Sequence, residues 1–304
     1  MKRSLKGFVA LLVTTLIWGS AFVAQTSASD TVGAFAFNAG RALFATVFLS
    51  LFIFIRSKFS YGYKAPKQQD SVTGGIVCGL SLYIATNLQQ FGIGLYPEGV
   101  AASGRSGFLT TVYVVIVAVS VLFIKKTLSF LTVISAFICL GGMYLLSLAN
   151  GIENIYSADI PLLLCAVAFA IYIMMIDHFV QADPIVMSCV QFAIVFVLSA
   201  ISALVFENNT WDSISGALFP IAYAGIFSSG IAYTLQIVGQ KYIEPAAASI
   251  IMSLEAVFAA FFGWMILGER LNLRELAGCA LVFTAIILSQ LPAAVKKLKH
   301  KTGI

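Results

Sequence analysis

The chain has 304 residues, of which 60% are hydrophobic and only 10% are charged, and its formal net charge is +5. A soluble globular domain carries about 25% charged residues. This composition therefore excludes a soluble protein and indicates a polytopic membrane protein. Because the basic residues lie in short segments between apolar runs, the positive charge indicates membrane topology and not nucleic-acid binding.

Ten apolar segments follow one another along the chain. Each is close to the roughly 20 residues that a membrane-spanning helix needs. The first follows Met1, Lys2 and Arg3, a start that signal peptides share, but we interpret it as a span because further spans follow it. We therefore predict an all-α polytopic membrane protein with ten transmembrane helices. The predicted spans are residues 7–26, 32–55, 72–95, 98–124, 129–149, 159–180, 184–206, 214–240, 245–268 and 273–292.

The distribution of basic residues predicts the orientation. If the N-terminus is inside, the segments on the cytoplasmic side hold 14 of the 18 Lys and Arg residues. The outer loops hold Arg270 and Arg274, and Arg41 and Arg105 lie inside spans. Cytoplasmic loops of membrane proteins carry such an excess of Lys and Arg. We therefore predict a multi-pass protein of the cell (plasma) membrane with both termini in the cytoplasm.

A repeat divides the chain into residues 1–149 and 150–304, each with five spans, the second with a basic tail. Five residues between Tyr96 and Ser103 recur at a constant spacing between Tyr242 and Ser249. Because five is odd, the second repeat enters the membrane inverted relative to the first, a recurring design of secondary transporters. With small shifts in the spacing, the division into halves also pairs Trp18 with Phe169, Phe22 with Ile173, Arg41 with Gln191, Gln89 with Gln236 and Thr110 with Glu255.

Short motifs occur in a fixed order along the spans. They are LIWGSAF at 16–22, Arg41-Ala42-Leu43, Tyr233, PAAAS at 245–249, Leu254-Glu255 and LGERL at 267–271. In this order the chain resembles the drug/metabolite transporter (DMT) superfamily, in its ten-span form with two EamA-type domains, one in each half. One position departs from the family pattern. Ala256 stands where proline usually follows the Leu-Glu pair, so the usual basis for a helix kink is missing there.

The resemblance implies a fold and a function. Two inverted repeats would form a basket of helices around a central cavity, with spans 1, 3, 4, 6, 8 and 9 lining it and spans 5 and 10 at the periphery. Members of the superfamily move amino acids, other small metabolites or drugs, often outward. No cofactor, metal or ATP is expected, and the sequence lacks a Gly-x-x-x-x-Gly-Lys phosphate loop.

Polar and aromatic side chains inside the predicted spans are candidates for solute binding. A Tyr hydroxyl needs a hydrogen-bond partner inside a membrane, and amides can recognise polar groups of a solute. The alternatives are packing for the aromatic rings and hydrogen bonds between helices for the amides. The candidate substrate-binding residues are Trp18, Phe22, Tyr83, Asn87, Arg105, Tyr172, Tyr233 and Gln236.

Charged residues inside spans are costly, by about 2.5–3.5 kcal/mol on insertion scales, and are functional candidates by default. Arg105 lies in span 4, a predicted lining helix, and a substrate carboxylate is its assigned partner. Arg41 lies in span 2 and is interpreted as structural. Glu255, near the middle of span 9, is assigned to binding an amine or to ion coupling through a proton. The alternative for all three is a structural network of paired charges.

We expect a secondary transporter, and more specifically an exporter, of a small metabolite such as an amino acid, working by alternating access. Multidrug efflux is the alternative within transport. An integral membrane enzyme would need clustered His, Asp or Cys residues, and a membrane receptor would bring an extramembrane domain, so both are less favoured and no enzymatic activity is expected. The expected partners are the solute, the lipid bilayer and protons, with no nucleic acid, and a homodimer is left open.

Overall fold

The computed structural model describes residues 2–59, 68–97, 102–125, 129–147, 156–267 and 273–302. Every regular element within these ranges is a helix. Eight helical stretches there are long and apolar enough to cross a membrane. Two shorter apolar helices, Phe130–Leu145 and Leu276–Ser289, stand at the places of predicted spans 5 and 10. The prediction of an all-α polytopic membrane protein is confirmed.

The first five predicted spans correspond to six helices, because the fourth span is divided. They are α1 (Lys2–Ser29), α2 (Ala34–Phe59), α3 (Gln68–Gly94), α4 (Ala102–Thr111), α5 (Tyr113–Lys125) and α6 (Phe130–Ser147).

The second five spans are more strongly divided, since the eighth and the ninth are both interrupted. The helices are α7 (Asp159–His178), α8 (Pro184–Phe206), α9 (Trp211–Gly216), α10 (Leu218–Tyr223), a π-helical segment (Ala224–Ala232), α11 (Tyr233–Gln240), α12 (Pro245–Met252), α13 (Leu254–Leu267) and α14 (Leu273–Thr302).

Some predicted positions lie outside the described residues. They are Glu98 and Ala101 of the repeated pattern, residues 268–271 of the last motif, several loop residues used for the orientation, and the boundary between residues 149 and 150.

The helices of the fourth and ninth spans are interrupted, although no proline stands at either interruption. Span 4 breaks at Val112 and span 9 at Ser253. The Ser253 hydroxyl donates to the backbone oxygen of Ile250 at 2.6 Å, and the Thr111 hydroxyl donates to that of Gly107. Hydroxyls that bond to the preceding turn bend helices. Span 9 is therefore interrupted at Ser253, three residues before Ala256, where the family pattern usually has a proline.

The last helix is longer than predicted. The apolar run suggested an end near residue 292, whereas α14 continues to Thr302 through the basic tail. Lysine is a good helix former, and cations are favourable near the negative end of the helix dipole.

Capping residues set the starts of two neighbouring helices. The side chain of Asp183 accepts hydrogen bonds from the backbone N–H groups of Ile185 and Val186, which opens α8. The start of α2 is capped from the second half of the chain: the backbone N–H groups of Phe35 and Ala36 donate to the two carboxylate oxygens of Glu207 at 2.8 and 2.9 Å. A carboxylate at a helix N-terminus satisfies free N–H groups and favours the dipole.

Small residues let the helices approach closely. A Cβ atom added at Gly75 would lie 2.9 Å from the backbone oxygen of Met187, and one at Gly79 would lie 2.9 Å from that of Gln191. These two glycines bring α3 against α8, as small residues do between membrane helices. Spans 5 and 10, which are α6 and α14, pack mainly against each other and lie beside the bundle, in agreement with the resemblance.

The outward faces of the bundle are apolar. Phe123, Leu204 and Phe219 are each at least 75% exposed. In water such a surface would be costly, but in a bilayer it contacts lipid chains. Polar side chains are buried between the helices instead, where they surround a central cavity.

Candidate functional site

One cavity in the described part of the chain is lined by both halves. It admits the centres of water molecules over a volume of about 30 Å³. That is room for a few waters, since one needs at least about 10–15 Å³. A larger solute therefore requires the walls to move apart. The lining residues are Trp18, Ala21, Phe22, Gln25, Arg41, Gln89, Thr110, Tyr113, Phe169, Ile173, Ser228, Tyr233, Gln236, Met252 and Glu255.

The walls come from predicted spans 1, 3, 4, 6, 8 and 9, the six that the resemblance implied, and span 2 adds Arg41. Four pairs of repeat-equivalent positions face the cavity. They are Trp18 with Phe169, Phe22 with Ile173, Gln89 with Gln236 and Thr110 with Glu255. The cavity therefore lies at the interface of the two repeats, where secondary transporters bind their solutes.

Glu255 lies where two broken helices meet. It is in the first turn of α13, directly after the break at Ser253, and its side chain is 4% exposed. Tyr113, the first residue of α5, donates a hydrogen bond from its hydroxyl to Glu255 Oε1 at 3.1 Å. Within the described residues Glu255 has no further hydrogen bond and no ion pair. The positive end of the α13 dipole favours a carboxylate at this position.

Arg41 is held in the wall by three neutral side chains and is 3% exposed. Nε donates to Ser229 Oγ at 2.9 Å, Nη1 to Gln25 Oε1 at 3.2 Å, and Nη2 to Ser228 Oγ at 3.2 Å. From the sequence, Arg41 is interpreted as structural because span 2 is not a predicted lining helix. The structure places it on the cavity.

The π-helical segment brings these serines to Arg41. The backbone N–H of Tyr233 donates to the backbone oxygen of Ser228, and Trp18 Nε1 donates to the same oxygen at 3.4 Å. A Cβ atom added at Gly225 would lie 2.8 Å from the backbone oxygen of Arg41, so glycine lets α2 and the segment touch. Single π-helical turns inside α-helices often mark functional sites.

Aromatic rings pack at one wall of the cavity, where Trp18 and Tyr233 line it, and directly behind that wall. The ring of Tyr233 is buried, with centroid distances of 4.7 Å to Trp18, 5.4 Å to Phe192 and 5.9 Å to Tyr172. These distances are in the range of favourable aromatic pairs. The cavity thus combines polar and charged groups with an apolar, aromatic lining.

The structure brings five of the candidate residues together around the cavity: Trp18, Phe22, Tyr233, Gln236 and Glu255. Three other candidates lie between helices, away from its lining.

These three are hydrogen-bonded to neighbouring side chains. The Tyr83 hydroxyl lies 2.6 Å from Ser202 Oγ, Asn87 Nδ2 donates to Ser199 Oγ at 3.0 Å, and the Tyr172 hydroxyl donates to Gln191 Oε1 at 3.2 Å. Each bond joins α3 or α7 to α8. For Asn87 this is the alternative given above for the amides, and the two tyrosines make the same kind of contact between helices.

Arg105 lies in an ion pair at one end of the bundle. Its Nε and Nη2 donate to Asp159 Oδ1 and Oδ2 at 2.9 and 2.6 Å, and its guanidinium lies 4.8 Å from the centre of the Tyr156 ring. The Tyr96 hydroxyl also donates to Asp159, at 2.7 Å. Burial and this contact with the carboxylate raise the pKa of Tyr96, so its hydroxyl remains a donor.

Several lining residues were not among the candidates. Phe169 and Ile173 carried a usable signal, because each is repeat-equivalent to a candidate in span 1. Tyr113, Gln25 and Ser228 are polar residues inside predicted spans, but nothing in the sequence singled them out, since their positions at the cavity depend on helix breaks and on side-chain packing. No group of three or more His, Cys, Asp or Glu residues that could hold a metal ion occurs among the described residues.

Comparisons with known proteins support the same reading. The sequence profile of the EamA-like transporter family matches residues 5–148 and 157–291. An "Uncharacterized transporter" of Archaeoglobus fulgidus is 28% identical over 285 residues, which are 93% of this chain and 85% of the relative. The "Uncharacterized transporter YoaV" of Bacillus subtilis is 21% identical over an alignment 304 positions long, which covers 96% of this chain and 99% of the relative.

One solved crystal structure shares the fold, with a TM-score of 0.75 at 20% identity over 96% of this chain and 99% of that chain. The family profile matches twice, once in each half, which gives a two-repeat architecture. This multi-pass membrane protein therefore belongs to the EamA-like transporter family.

Proposed function

We propose that the protein is a secondary transporter that exports a small amphipathic metabolite, such as an amino acid, by alternating access. The observation that carries the proposal is the cavity between the repeats, which holds a buried Arg, a buried Glu and several aromatic rings. Such a cavity complements a solute with polar ends and an apolar body. Multidrug efflux is the alternative; the buried Arg41 and Glu255 on the cavity wall favour a small solute with charged ends.

Glu255 is the residue to which we assign ion coupling or binding of a solute amine. It is the acidic residue among those lining the cavity, and its described hydrogen bond comes from a neutral tyrosine hydroxyl. A carboxyl group in this setting can take up and release a proton as the cavity opens to either side. Ionisable residues inside membrane spans commonly serve in such proton relays.

The proposed setting is the plasma membrane with both termini in the cytoplasm. The support is the excess of Lys and Arg in the segments that would face the cytoplasm. If all ten apolar helices cross the bilayer, five in each repeat, the second repeat is inverted relative to the first. We also retain the division at residues 149 and 150 as a proposal.

The test of this proposal is the variant Glu255→Gln in proteoliposomes. Glutamine keeps the shape and can still accept the hydrogen bond from Tyr113, but it cannot release a proton. The variant should exchange solute across the membrane in counterflow and fail to accumulate it on an imposed pH gradient. Asp212→Asn is the matched control, because Asp212 is an exposed acid in α9, and it should accumulate solute like the parent.

Three results would decide between the two roles of Glu255 or contradict the proposal. Accumulation by Glu255→Gln at the parent level would show that Glu255 does not couple transport to protons. A folded variant that neither binds nor exchanges solute would assign Glu255 to solute binding. Failure of the parent to exchange any amino acid or other small metabolite in counterflow would reject the transport function itself.

A further inference from the structure

We propose that Arg41 is the subsite for an anionic group of the solute, and that the solutes of this cavity are small carboxylates with an apolar body. This inference rests on the proposed transport function, because it concerns the same cavity. Four observations carry it: the neutral partners of Arg41, the paired state of other arginines, the position of Arg41 on the cavity wall, and its asymmetry between the repeats.

The first observation is an unbalanced charge. A guanidinium has five N–H donors, and neutral side chains accept hydrogen bonds from three of those of Arg41. Within the described residues it has no carboxylate within 4.0 Å. One N–H group on each terminal nitrogen is left without an acceptor in that part of the chain. A buried charge normally has an ionic partner, because taking it out of water is costly.

The second observation is that other arginines of the bundle do have such partners. Arg105 pairs with Asp159 at 2.6 Å, and Arg56 pairs with Asp183 at 3.0 Å. Both pairs lie at helix ends. The chain thus supplies carboxylates to arginines at the ends of the bundle, whereas Arg41 on the cavity has neutral partners. The acid of the same cavity, Glu255, is hydrogen-bonded to Tyr113 instead.

The third observation is that Arg41 is fixed in place while its charge remains uncompensated. Gln25 and two serines of the π-helical segment hold three different nitrogens of the guanidinium. A guanidinium held in this way has little side-chain entropy left to lose when an anion binds. Its planar fork matches a carboxylate, which can accept two parallel hydrogen bonds. The aromatic rings of Trp18 and Tyr233 on the same cavity suit the apolar body of such a solute.

The fourth observation is the asymmetry between the repeats. The position equivalent to Arg41 is Gln191 in α8, which is buried and accepts a hydrogen bond from Tyr172. A neutral amide therefore suffices to pack this position of the repeat. The positive charge of Arg41 is therefore not needed for packing at this position. It places a cation from the first half in a cavity whose acid, Glu255, comes from the second half.

The test compares carboxylates with their own amides. Thermal unfolding of the purified protein is measured in the presence of 3-phenylpropionate, benzoate or isovalerate and, in parallel, in the presence of the primary amide of each. A ligand that binds the folded state raises the apparent stability by mass action, which gives its affinity. The parent should bind at least one of these carboxylates more than about tenfold more tightly than its amide, as expected for hydrogen bonds to a charged group.

Two variants at residue 41 and one control complete the experiment. Arg41→Gln introduces the residue of the equivalent position and should bring the affinity ratio of carboxylate to amide near one. Arg41→Lys keeps the charge and loses the planar fork. Its affinity ratio of carboxylate to amide should therefore fall between those of the parent and of Arg41→Gln. If Arg41→Gln does not fold, the reduced ratio of the Lys variant decides. Arg105→Gln removes a charge away from the cavity and should keep the ratio of the parent.

The inference is overturned if the parent shows no preference for any of the three carboxylates, or if the residue-41 variants keep its preference. A counterflow measurement with the same pairs separates this result from the transport function. Transport of solutes without a preference for carboxylates would reject the role of Arg41 and leave transport intact. Carboxylates that bind through Arg41 and are not moved would reject transport and leave the subsite intact.

Discussion

At the scale of single residues, Arg105 and Asp159 join the two halves of the chain. Both side chains are largely buried, with exposed fractions of 13% and 9%, and they share two hydrogen bonds. Exposed ion pairs contribute about 0–1 kcal/mol, whereas loss of one partner of a buried pair costs about 3–5 kcal/mol. The free-energy contribution of this largely buried pair should lie between these two limits.

We therefore predict that Arg105→Gln and Asp159→Asn each lower the free energy of unfolding by roughly 1–3 kcal/mol. The double variant should cost less than the sum of the two, because neither charge is then left alone. Thermal unfolding of the four proteins in detergent measures this coupling. Additive losses would show that the pair contributes no net interaction, and reduced carboxylate binding by a folded Arg105→Gln variant would return Arg105 to the solute site.

The roles of some of these residues could be predicted from the sequence, and the roles of others could not. Glu255 was found because a carboxylate in the middle of an apolar run has few explanations. Arg105 was assigned to the solute because it lies in a predicted lining helix. Its actual partner, Asp159, begins a helix 54 residues later in the chain, and such a pairing depends on tertiary packing. Arg41 was interpreted as structural because span 2 was not a predicted lining helix, and the approach of α2 to the π-helical segment is not visible in the sequence.

At the scale of helices, α1 and α13 are in backbone contact beside the cavity. A Cβ atom added at Gly19 would lie 2.9 Å from the backbone nitrogen of Ala259 and would also meet Phe258. Gly19 therefore sets how closely the helix that carries Trp18 can approach the helix that carries Glu255. Backbone atoms cannot move aside as a flexible side chain can, so any larger residue must separate the two helices.

We predict that Gly19→Ala lowers the free energy of unfolding by about 1–3 kcal/mol, the usual cost of overpacking, and weakens solute binding. The matched control is Gly141→Ala in α6, where an added Cβ atom meets nothing within 4 Å. That variant should be neutral or stabilised by up to about 1 kcal/mol, because alanine is the better helix former. Equal melting temperatures for the two variants would contradict the close approach of α1 and α13.

The helices themselves were largely predictable. The apolar runs correspond to the described spans, and Pro184 and Pro245 stand at the first position of α8 and α12, where proline is tolerated. The breaks at Val112 and Ser253 were not predictable from the family pattern, because no proline marks them. A serine or threonine can bond either to its own helix or to a neighbour, and the sequence does not distinguish these alternatives.

At the scale of the whole molecule, polar contacts join the two repeats at both ends of α3. Beyond its last turn, Tyr96 and Arg105 contact Asp159. At its first turn, the Ser71 hydroxyl accepts a hydrogen bond from the backbone N–H of Asp183, whose carboxylate pairs with Arg56. The central cavity lies between these two sets of contacts. In alternating access, one set would open while the other stays closed.

Alternating access is tested most directly by measuring whether the cavity can be reached from each side of the membrane. Ala21, a small residue of the cavity wall, is replaced by cysteine in a chain whose five native cysteines are changed to serine or alanine. A membrane-impermeant maleimide is then added to one side or to the other. Ala85→Cys in α3 is the control, because Ala85 is fully buried and absent from the cavity wall.

If the cavity opens alternately to the two sides, Ala21→Cys reacts with reagent on either side, a bound solute slows both reactions, and the Ala85→Cys control does not react with reagent on either side. Reaction from one side alone, with or without solute, would contradict alternating access of this cavity.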